Sequence, residues 1–404
     1  MSKVDLMKVG DIATFVRGIN FKPTDVTSID TSGVVGCMRT KNVQEDLDLS
    51  DVWAVPEKFV KRPDQILQTG DILISSANSW NLVGKCCWIP KLSYKSSFGG
   101  FVCVLRANQT KVDQRYLYQW FSSDRIQNIV RSFGRQTTNI SNLDINRCLD
   151  MQIPLPPIAT QKHIAAILDQ AEELRSKRRS AIALLDELGR SVFLEMFGDP
   201  VTNPKGWEQG TLGEVATFVG GGTPRRECPE YFKGSICWAT SKDMKSEFLD
   251  DTQEHITEAA INESATNLVP AGTVLIVVKS KILAHSLPIA ITTVPTCFGQ
   301  DLKGMRLSQE YEIRFVVVAL RLGKQWLLDR ARGINTEGLT LEHLRAFPLF
   351  KVPVQLQQQF AKRMEAIETL KATHRQSLAK LDSLFNSLQS AAFNGELGIE
   401  NEEF

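Results

Sequence analysis

The chain has 404 residues, 43% of them hydrophobic and 23% charged, with a formal net charge of +1. That balance fits a globular protein and excludes a disordered or fibrous one, while the near-neutral total argues against a strongly basic nucleic-acid binder. The start, MSKVDLMKVG, lacks a signal-peptide apolar region, and no apolar run approaches the roughly 18–20 residues of a spanning helix, so a cytoplasmic protein without membrane contact is expected.

In chain order, strand-like segments open the first body: GDIATFVRG at Gly10 to Gly18, then GDILIS at Gly70 to Ser75, then the turn SFGG at Ser97 to Gly100. A polar loop, SFGRQTTNIS from Ser132, precedes the prolines that end with Pro157. The sequence then says nearly the same thing again. GEVATFVGG at Gly213 to Gly221, GTVLIV at Gly272 to Val277, CFGQ at Cys297 to Gln300 and ARGINTEGLT from Ala331 follow in the same order. PIATQKHIAAIL from Pro157 aligns without a gap onto PVQLQQQFAKRM from Pro353, and the alignment continues to Phe197 and Phe393. A repeat of this size is a domain, not a solenoid unit of roughly 20–50 residues. Duplication implies a pseudo-twofold relation, and duplex DNA is the commonest partner with twofold character of its own.

Between Thr160 and Phe197 the apolar spacing alternates three and four through Ile164, Ile167, Ala171, Leu174, Ala181, Leu185, Leu188 and Val192. The aligned positions of the second copy include Phe360, Ile367, Leu370, Leu381, Leu384 and Leu388, and Arg178 and His374 interrupt both seams at equivalent places as register-fixing polar residues. Pro157 and Pro353 stand where such helices begin, and Gly198 and Gly395 where they end. Two equal stripes in one chain most simply bury each other, antiparallel under the twofold relation. At about 1.5 Å per residue, such a helix reaches roughly 57 Å and can hold two bodies apart.

Net charge is +4 for residues 1–157, −1 for 158–200, 0 for 201–352 and −2 for 353–404, so the weak positive charge sits on the first body rather than on the helices. Cys37, Cys86, Cys87, Cys103, Cys148, Cys228, Cys237 and Cys297 stand among apolar neighbours with no CxxC pair and no His at zinc spacing, so buried thiols and no metal site are expected. Phe218, Gly220 and Gly222 fit the FxGxG turn that cradles S-adenosylmethionine, but the first copy reads FVRGINF there and no [DNS]PP[YF] tetrapeptide exists to hold a flipped base. Pro229-Glu230 with Asp243 and Lys245 is a chance-level nuclease pattern, there is no phosphate-binding GxxxxGK[ST] loop, and the five His residues form no HExxH. The chain reads as a recognition protein without a catalytic residue.

Recognition falls on the aligned polar loops, because Arg pairs bidentately with guanine and Asn or Gln with adenine. The expected DNA contacts are Arg39, Lys41, Arg135, Gln136 and Thr138 in the first body and Thr223, Arg225, Arg226, Lys242, Arg332 and Asn335 in the second. Different residues on a shared frame suggest two different half-sequences.

PLPPIATQKHIAAILDQAEEL from Pro154, FGDPVTNPKGW from Phe197 and LGEVATFVGGGTP from Leu212 resemble the central conserved region, and the opening of the second target-recognition domain, of the specificity (S) subunits of type I restriction–modification enzymes. The resemblance covers essentially the whole chain. It implies an α+β protein in which two pseudo-twofold-related target-recognition domains are joined by two long antiparallel coiled-coil helices. The boundaries are then 1–157 and 201–352 for the recognition domains, with conserved helices at 158–200 and 353–404. It also implies double-stranded DNA as ligand, two modification (methyltransferase) subunits and ATP-driven restriction subunits as partners, and S-adenosylmethionine, ATP and Mg on those partners rather than on this chain. The other function class compatible with the residues is a coiled-coil scaffold whose bodies bind protein.

Overall fold

Short apolar runs bounded by glycine and polar turns become the strands of the first body, and runs such as ILIS and VCVL are buried along their length. In the computed structural model, which describes residues 5–136, 140–331 and 338–396, these are β1 (Leu6–Lys8), β2 (Ala13–Arg17), β3 (Val34–Met38), β4 (Trp53–Pro56), β5 (Ile72–Ser75), β6 (Ala77–Asn78), β7 (Cys86–Trp88), β8 (Ser96–Phe98), β9 (Val102–Ala107), β10 (Gly134–Gln136), β11 (Ser141–Leu143) and β12 (Gln152–Pro154). Helices α1 (Val9–Ile12), α2 (Gln114–Phe121), α3 (Asp124–Ser132) and α4 (Ile145–Leu149) lie among them. The sheets run β2-β9-β5-β7, β4-β3-β8, β10-β11-β6 and β1-β12, antiparallel except for β3 with β8. Asp113 and Asp144 cap α2 and α4, each accepting two backbone N–H groups.

The second body repeats the plan with β13 (Gln209–Thr211), β14 (Ala216–Gly220), β15 (Ile236–Ala239), β16 (Phe248–Leu249), β17 (Glu254–Ile256), β18 (Val274–Val277), β19 (Ile289–Thr292), β20 (Thr296–Phe298), β21 (Leu302–Leu307) and β22 (Pro348–Phe350). Its sheets run β14-β21-β18-β19-β16, β17-β15-β20 and β13-β22. The register repeats as well, since Phe15 faces Leu105 as Phe218 faces Met305, and Met38 faces Phe98 as Ala239 faces Phe298. The glycine that follows β2 and its equivalent after β14 are both forced. A Cβ on Gly18 would lie 2.2 Å from the Gly99 carbonyl oxygen, and one on Gly221 2.2 Å from that of Gly299. The FVGGGTP segment is therefore a strand end and close backbone crossing, as in the first copy.

Helix α5 runs over Ile158–Phe197 and, after α6 (Leu212–Val215), α7 (Glu258–Asn262), α8 (Ile313–Leu322), α9 (Lys324–Ala331) and α10 (Leu341–Arg345), α11 runs over Val354–Asn394. They are 40 and 41 residues long, and Gly198 and Gly395 follow them in the left-handed region at φ +82° and +74°.

Compact unit one is Met1–Arg179 with Ser377–Phe404, and unit two is Ser180–Gln376, so each long helix is divided between both. The cores explain the division. In unit one, Ile164, Ala165, Leu168 and Ala171 of α5 and Phe385 and Ala392 of α11 join Ile72, Leu105, Tyr116 and Trp120. In unit two, Phe360, Met364 and Ile367 of α11 and Phe193 and Phe197 of α5 join Val274, Phe315 and Phe347. The helix segments are antiparallel there, with Asp186 opposite Lys371 and Phe193 against Phe360.

The expected seam is only partly the buried line. Ile164, Phe360 and Ile367 are buried and Ile167, Leu185 and Leu381 half-buried, but Leu174, Leu188, Leu370 and Leu384 are 47–50% exposed. Two causes act. A straight helix drifts about 20° per heptad from a seven-residue repeat, and the first turns of each helix are oriented by the body on which they pack. The line consequently passes through Arg175 and Lys371, whose side chains are only 16% and 8% exposed.

Candidate nucleic-acid interface

The C-terminal ends of β2, β3 and β8 converge on the start of β9, because Ile19 pairs with Gly99 and the Gly99 N–H donates to the Met38 carbonyl. Phe101, at the tip of the β8–β9 turn, accepts hydrogen bonds on its carbonyl from the backbone N–H groups of Ser76 and Ala77, while the residue is 66% exposed. Beside it β6 pairs with β11 and β11 with β10, so the described ends of the polar loop from Ser132 form two antiparallel strands laid along the extension of β5. Leu143 N–H donates to the Ser76 carbonyl.

In the second body Asp301 stands in place of Phe101, receiving the N–H groups of Val278 and Lys279 on its carbonyl, and Leu339 N–H donates to the Val278 carbonyl. Gly338 pairs with Lys279 as Asn142 pairs with Ala77. The next residues, Asp144 and Thr340, both cap a following helix. The backbone that carries the two polar loops is thus built the same way twice.

Arg135 lies on β10 with its side chain 78% exposed, ion-paired with the carboxylate of Asp144. Two backbone N–H groups of α4 and that guanidinium, the Arg147 N–H foremost, hold the Asp144 pKa below its usual value. Gln136 lies on the same strand. Thr138, Arg332 and Asn335 lie outside the described residues.

Arg39 and Lys41 follow β3 and meet on one carboxylate. Arg39 donates to Asp51 at 3.0 Å and Lys41 at 2.7 Å, which lowers the Asp51 pKa. Arg39 also stacks over Trp53 at 3.8 Å and is 20% exposed, so the body itself holds it, and Lys41 is the outward cation of the pair. In the second body the strand register puts Lys242 where Lys41 stands in the first. Arg226 is bidentate to Glu254, at 2.5 and 2.9 Å, and lies over Phe232 and Trp238. That hydrogen-bonded pairing raises the Arg226 pKa and lowers that of Glu254, to whose field Lys242 adds. Thr223, Arg225 and Lys242 are exposed. The structure therefore brings Arg39 to Lys41 and Arg226 to Lys242, and sets Arg135 on a separate strand pair. Guanidiniums and ammoniums at strand ends and a turn suit phosphate oxygens and base edges, and nothing in this set is arranged as an acid, base or nucleophile.

The profile of the type I restriction modification DNA specificity domain matches the chain twice, over residues 1–183 and 204–383. The chain belongs to that family. Members are specificity components rather than catalytic ones, and the two matches coincide with the repeat. The specificity subunit of the type I restriction enzyme EcoR124I/EcoR124II from Escherichia coli is 26% identical over 294 residues, 70% of each chain. A MjaX specificity subunit from Methanocaldococcus jannaschii, named as putative, is 22% identical over 345 residues, 82% of this chain and 79% of that one. The crystal structure of an S subunit from M. genitalium superposes with a TM-score of 0.56 at 16% identity, covering 97% of both chains, which shows the shared fold.

Sequence reasoning overlooked three features of this specificity chain. Phe101 stands directly after the SFGG echo, where its contrast with Asp301 after CFGQ was a legible signal. Gln161 and Gln357 are buried at equivalent places and tie each long helix to its body. Gln161 accepts from the Asp113 N–H at 2.8 Å and donates to the Pro156 carbonyl, and Gln357 accepts from the Glu312 N–H at 2.9 Å and donates to the Val352 carbonyl. The third is a cluster of Cys237 on β15, His255 on β17 and Asp251 in the connection that leads from β16 into β17.

Proposed function

We propose that this chain is the DNA-reading component of a type I restriction–modification complex and that each body reads one half of a bipartite site in double-stranded DNA. The long helices set the spacer between the halves. Two modification subunits dock on the chain and bring S-adenosylmethionine, and restriction subunits bring ATP and Mg for cleavage, so the chain itself holds none of these. The observation that carries the reading is the duplicated loop frame. The same backbone hydrogen bonds, Leu143 N–H to the Ser76 carbonyl and Leu339 N–H to the Val278 carbonyl, stand beside both polar loops, whose sequences differ, with Arg135 and Gln136 in one and Arg332 and Asn335 in the other, as two readers of two different half-sequences require. Thr138, Thr223, Arg225, Lys41 and Lys242 complete the proposed contact set, with Arg39 and Arg226 shaping the surface from which it projects.

The test is a genome-wide map of methylated bases in cells carrying this chain with its modification subunit. A second strain carries Arg135→Ala and Gln136→Ala together. The expected result is a two-part methylated motif in which the variant changes or loses one half and keeps the other. A single-part motif, or a change in both halves, overturns the reading. Binding of the purified complex to duplex DNA is further expected to weaken steeply with salt, which a protein-binding scaffold does not show.

A further inference from the structure

Cys237 and His255 face each other across the antiparallel pair β15–β17, and Asp251 stands one turn of chain ahead of His255. Asp251 Oδ1 lies 2.8 Å from His255 Nε2 and 3.8 Å from Cys237 Sγ, and the three ligand atoms all fall within 4.8 Å of one another. We propose that Cys237, Asp251 and His255 form a binding site for one divalent cation of the zinc class in the second body.

The chemistry of the donor set selects the metal. Thiolate, imidazole and carboxylate together suit Zn²⁺, whereas Mg²⁺ and Ca²⁺ take oxygen shells. Bond lengths of about 2.0–2.1 Å to N and O and about 2.3 Å to S put tetrahedral ligand pairs about 3.3–3.6 Å apart. The observed 2.8 and 3.8 Å are each within about half an ångström of that range, and the Asp251 side chain, 73% exposed, is free to make the adjustment. The frame is firmer. Thr252 accepts on its hydroxyl from the Trp238 N–H and donates to the Glu254 carbonyl, which locks the approach to β17 against β15. His255 is 32% exposed and Cys237 8%, so the thiol forms the floor and the fourth position faces water. Binding replaces the thiol S–H by an S–metal bond and releases the proton to solvent.

A cysteine nucleophile is the other chemistry that Cys, His and Asp suggest, and the geometry does not support it. Asp251 Oδ1 receives both the imidazole nitrogen and the thiol, so no ring nitrogen is placed to take the thiol proton. Burial also raises the Cys237 pKa, the reverse of an activated thiol. The first body supplies an internal control. The strand register that aligns Ala239 with Met38 puts Gly36 in place of Cys237, opposite Ala54, so the same fold stands there without a ligand.

The untagged full-length chain, stripped with a chelator and dialysed, is titrated with ZnCl₂ by calorimetry and with CoCl₂ by absorption. The expected result is one ion per chain, with tetrahedral cobalt bands and a thiolate-to-cobalt charge-transfer band. Cys237→Ser and His255→Ala are expected to weaken zinc binding at least tenfold, and Cys237→Ser to remove the charge-transfer band, with both variants retaining the wild-type circular dichroism spectrum. Absence of a stoichiometric ion in the wild-type chain overturns the proposal. So does zinc affinity in Cys237→Ser equal to wild type, because the ion then sits on another cysteine. If a variant misfolds, Asp251→Asn, whose side chain lies at the surface, decides by the same tenfold criterion.

Discussion

Arg175 donates from Nε to Asp382 Oδ1 at 2.7 Å, and the aligned pair Lys371 and Asp186 meets at 2.6 Å, so the two long helices carry the same inter-helix ion pair at equivalent places. Each cation is also held by an acid one turn earlier on its own helix, Glu172 and Glu368 respectively. Removing one member leaves a cation with little water access. Asp382 is 42% exposed, so the direct coupling is worth about 1 kcal/mol rather than the larger value of a fully buried pair. A double-mutant cycle of Arg175→Ala and Asp382→Ala in urea is expected to give that coupling. The reversed pair Arg175→Asp with Asp382→Arg is expected to be more stable than either single change.

The second ion pair gives a pH dependence. Burial alone would lower the Lys371 pKa, but Asp186 and Glu368 outweigh it and the net shift is upward from 10.5. A base with a raised folded-state pKa contributes stability fully below its unfolded pKa, and loses it as pH rises through the folded value. The stability difference between the wild-type chain and Lys371→Met is therefore expected to be flat from neutral pH to about 10, near the unfolded lysine pKa, and to shrink above it. Denaturant titrations across that window check the sign.

Replacing Gln161 or Gln357 by Leu keeps the volume and removes the hydrogen bonds. The Asp113 or Glu312 N–H is then left without its partner, as are the Pro156 or Val352 carbonyls. Each change is expected to cost about 1–3 kcal/mol. Hydrogen exchange is expected to rise most at the first turns of α2 and α5 for the former, and of α8 and α11 for the latter.

Gly18→Ala and Gly221→Ala each push a methyl onto a backbone oxygen that has no room to move. Overpacking of this kind typically costs about 1–3 kcal/mol or more. Each variant is expected to destabilise its own body, which limited proteolysis followed by mass mapping distinguishes.

Arg135→Ala removes an ion pair whose cation is 78% exposed and leaves Asp144 its two backbone N–H donors in α4, so the melting temperature is expected to change little. If the strand pair reads DNA, the same change lowers discrimination at one base pair by roughly tenfold. A phosphate contact would instead weaken all duplexes alike and flatten the salt slope. Titrations of matched and mismatched duplexes at several salt concentrations separate these outcomes.

What was legible in the sequence was local or repeated. GDIATFVRG and GEVATFVGG align because the same strand must pass the same crossing, and Pro157, Gly198, Pro353 and Gly395 bracket the helices because caps depend on one or two residues. Orientation was harder. The step from Leu174 to Arg175 as the buried residue depends on the body beneath the helix, which no spacing rule contains. The Cys237 cluster escaped because Cys237 and His255 come from two strands, brought together by a register the sequence does not print, with Asp251 on the connection between β16 and β17. The expected contacts at Thr138, Arg332 and Asn335 fall outside the described residues, while Arg39 turned out to be engaged by Trp53 and Asp51.

The sharing of α11 between the units has a consequence for synthesis. Phe385 and Ala392 belong to the core that contains Ile72 and Tyr116, Phe393 packs against Tyr116 at 5.4 Å, and Gln389 donates to the Gln119 carbonyl at 3.2 Å. A ribosome delivers residues 1–179 long before it delivers 377–396. Translation at about 5–20 residues per second leaves roughly 10–40 seconds in which the first body has its sheets but lacks one wall. During that interval the apolar bed awaiting Phe385 and Phe393 is open to chaperones, and a stretch made after the whole of the second body completes the first.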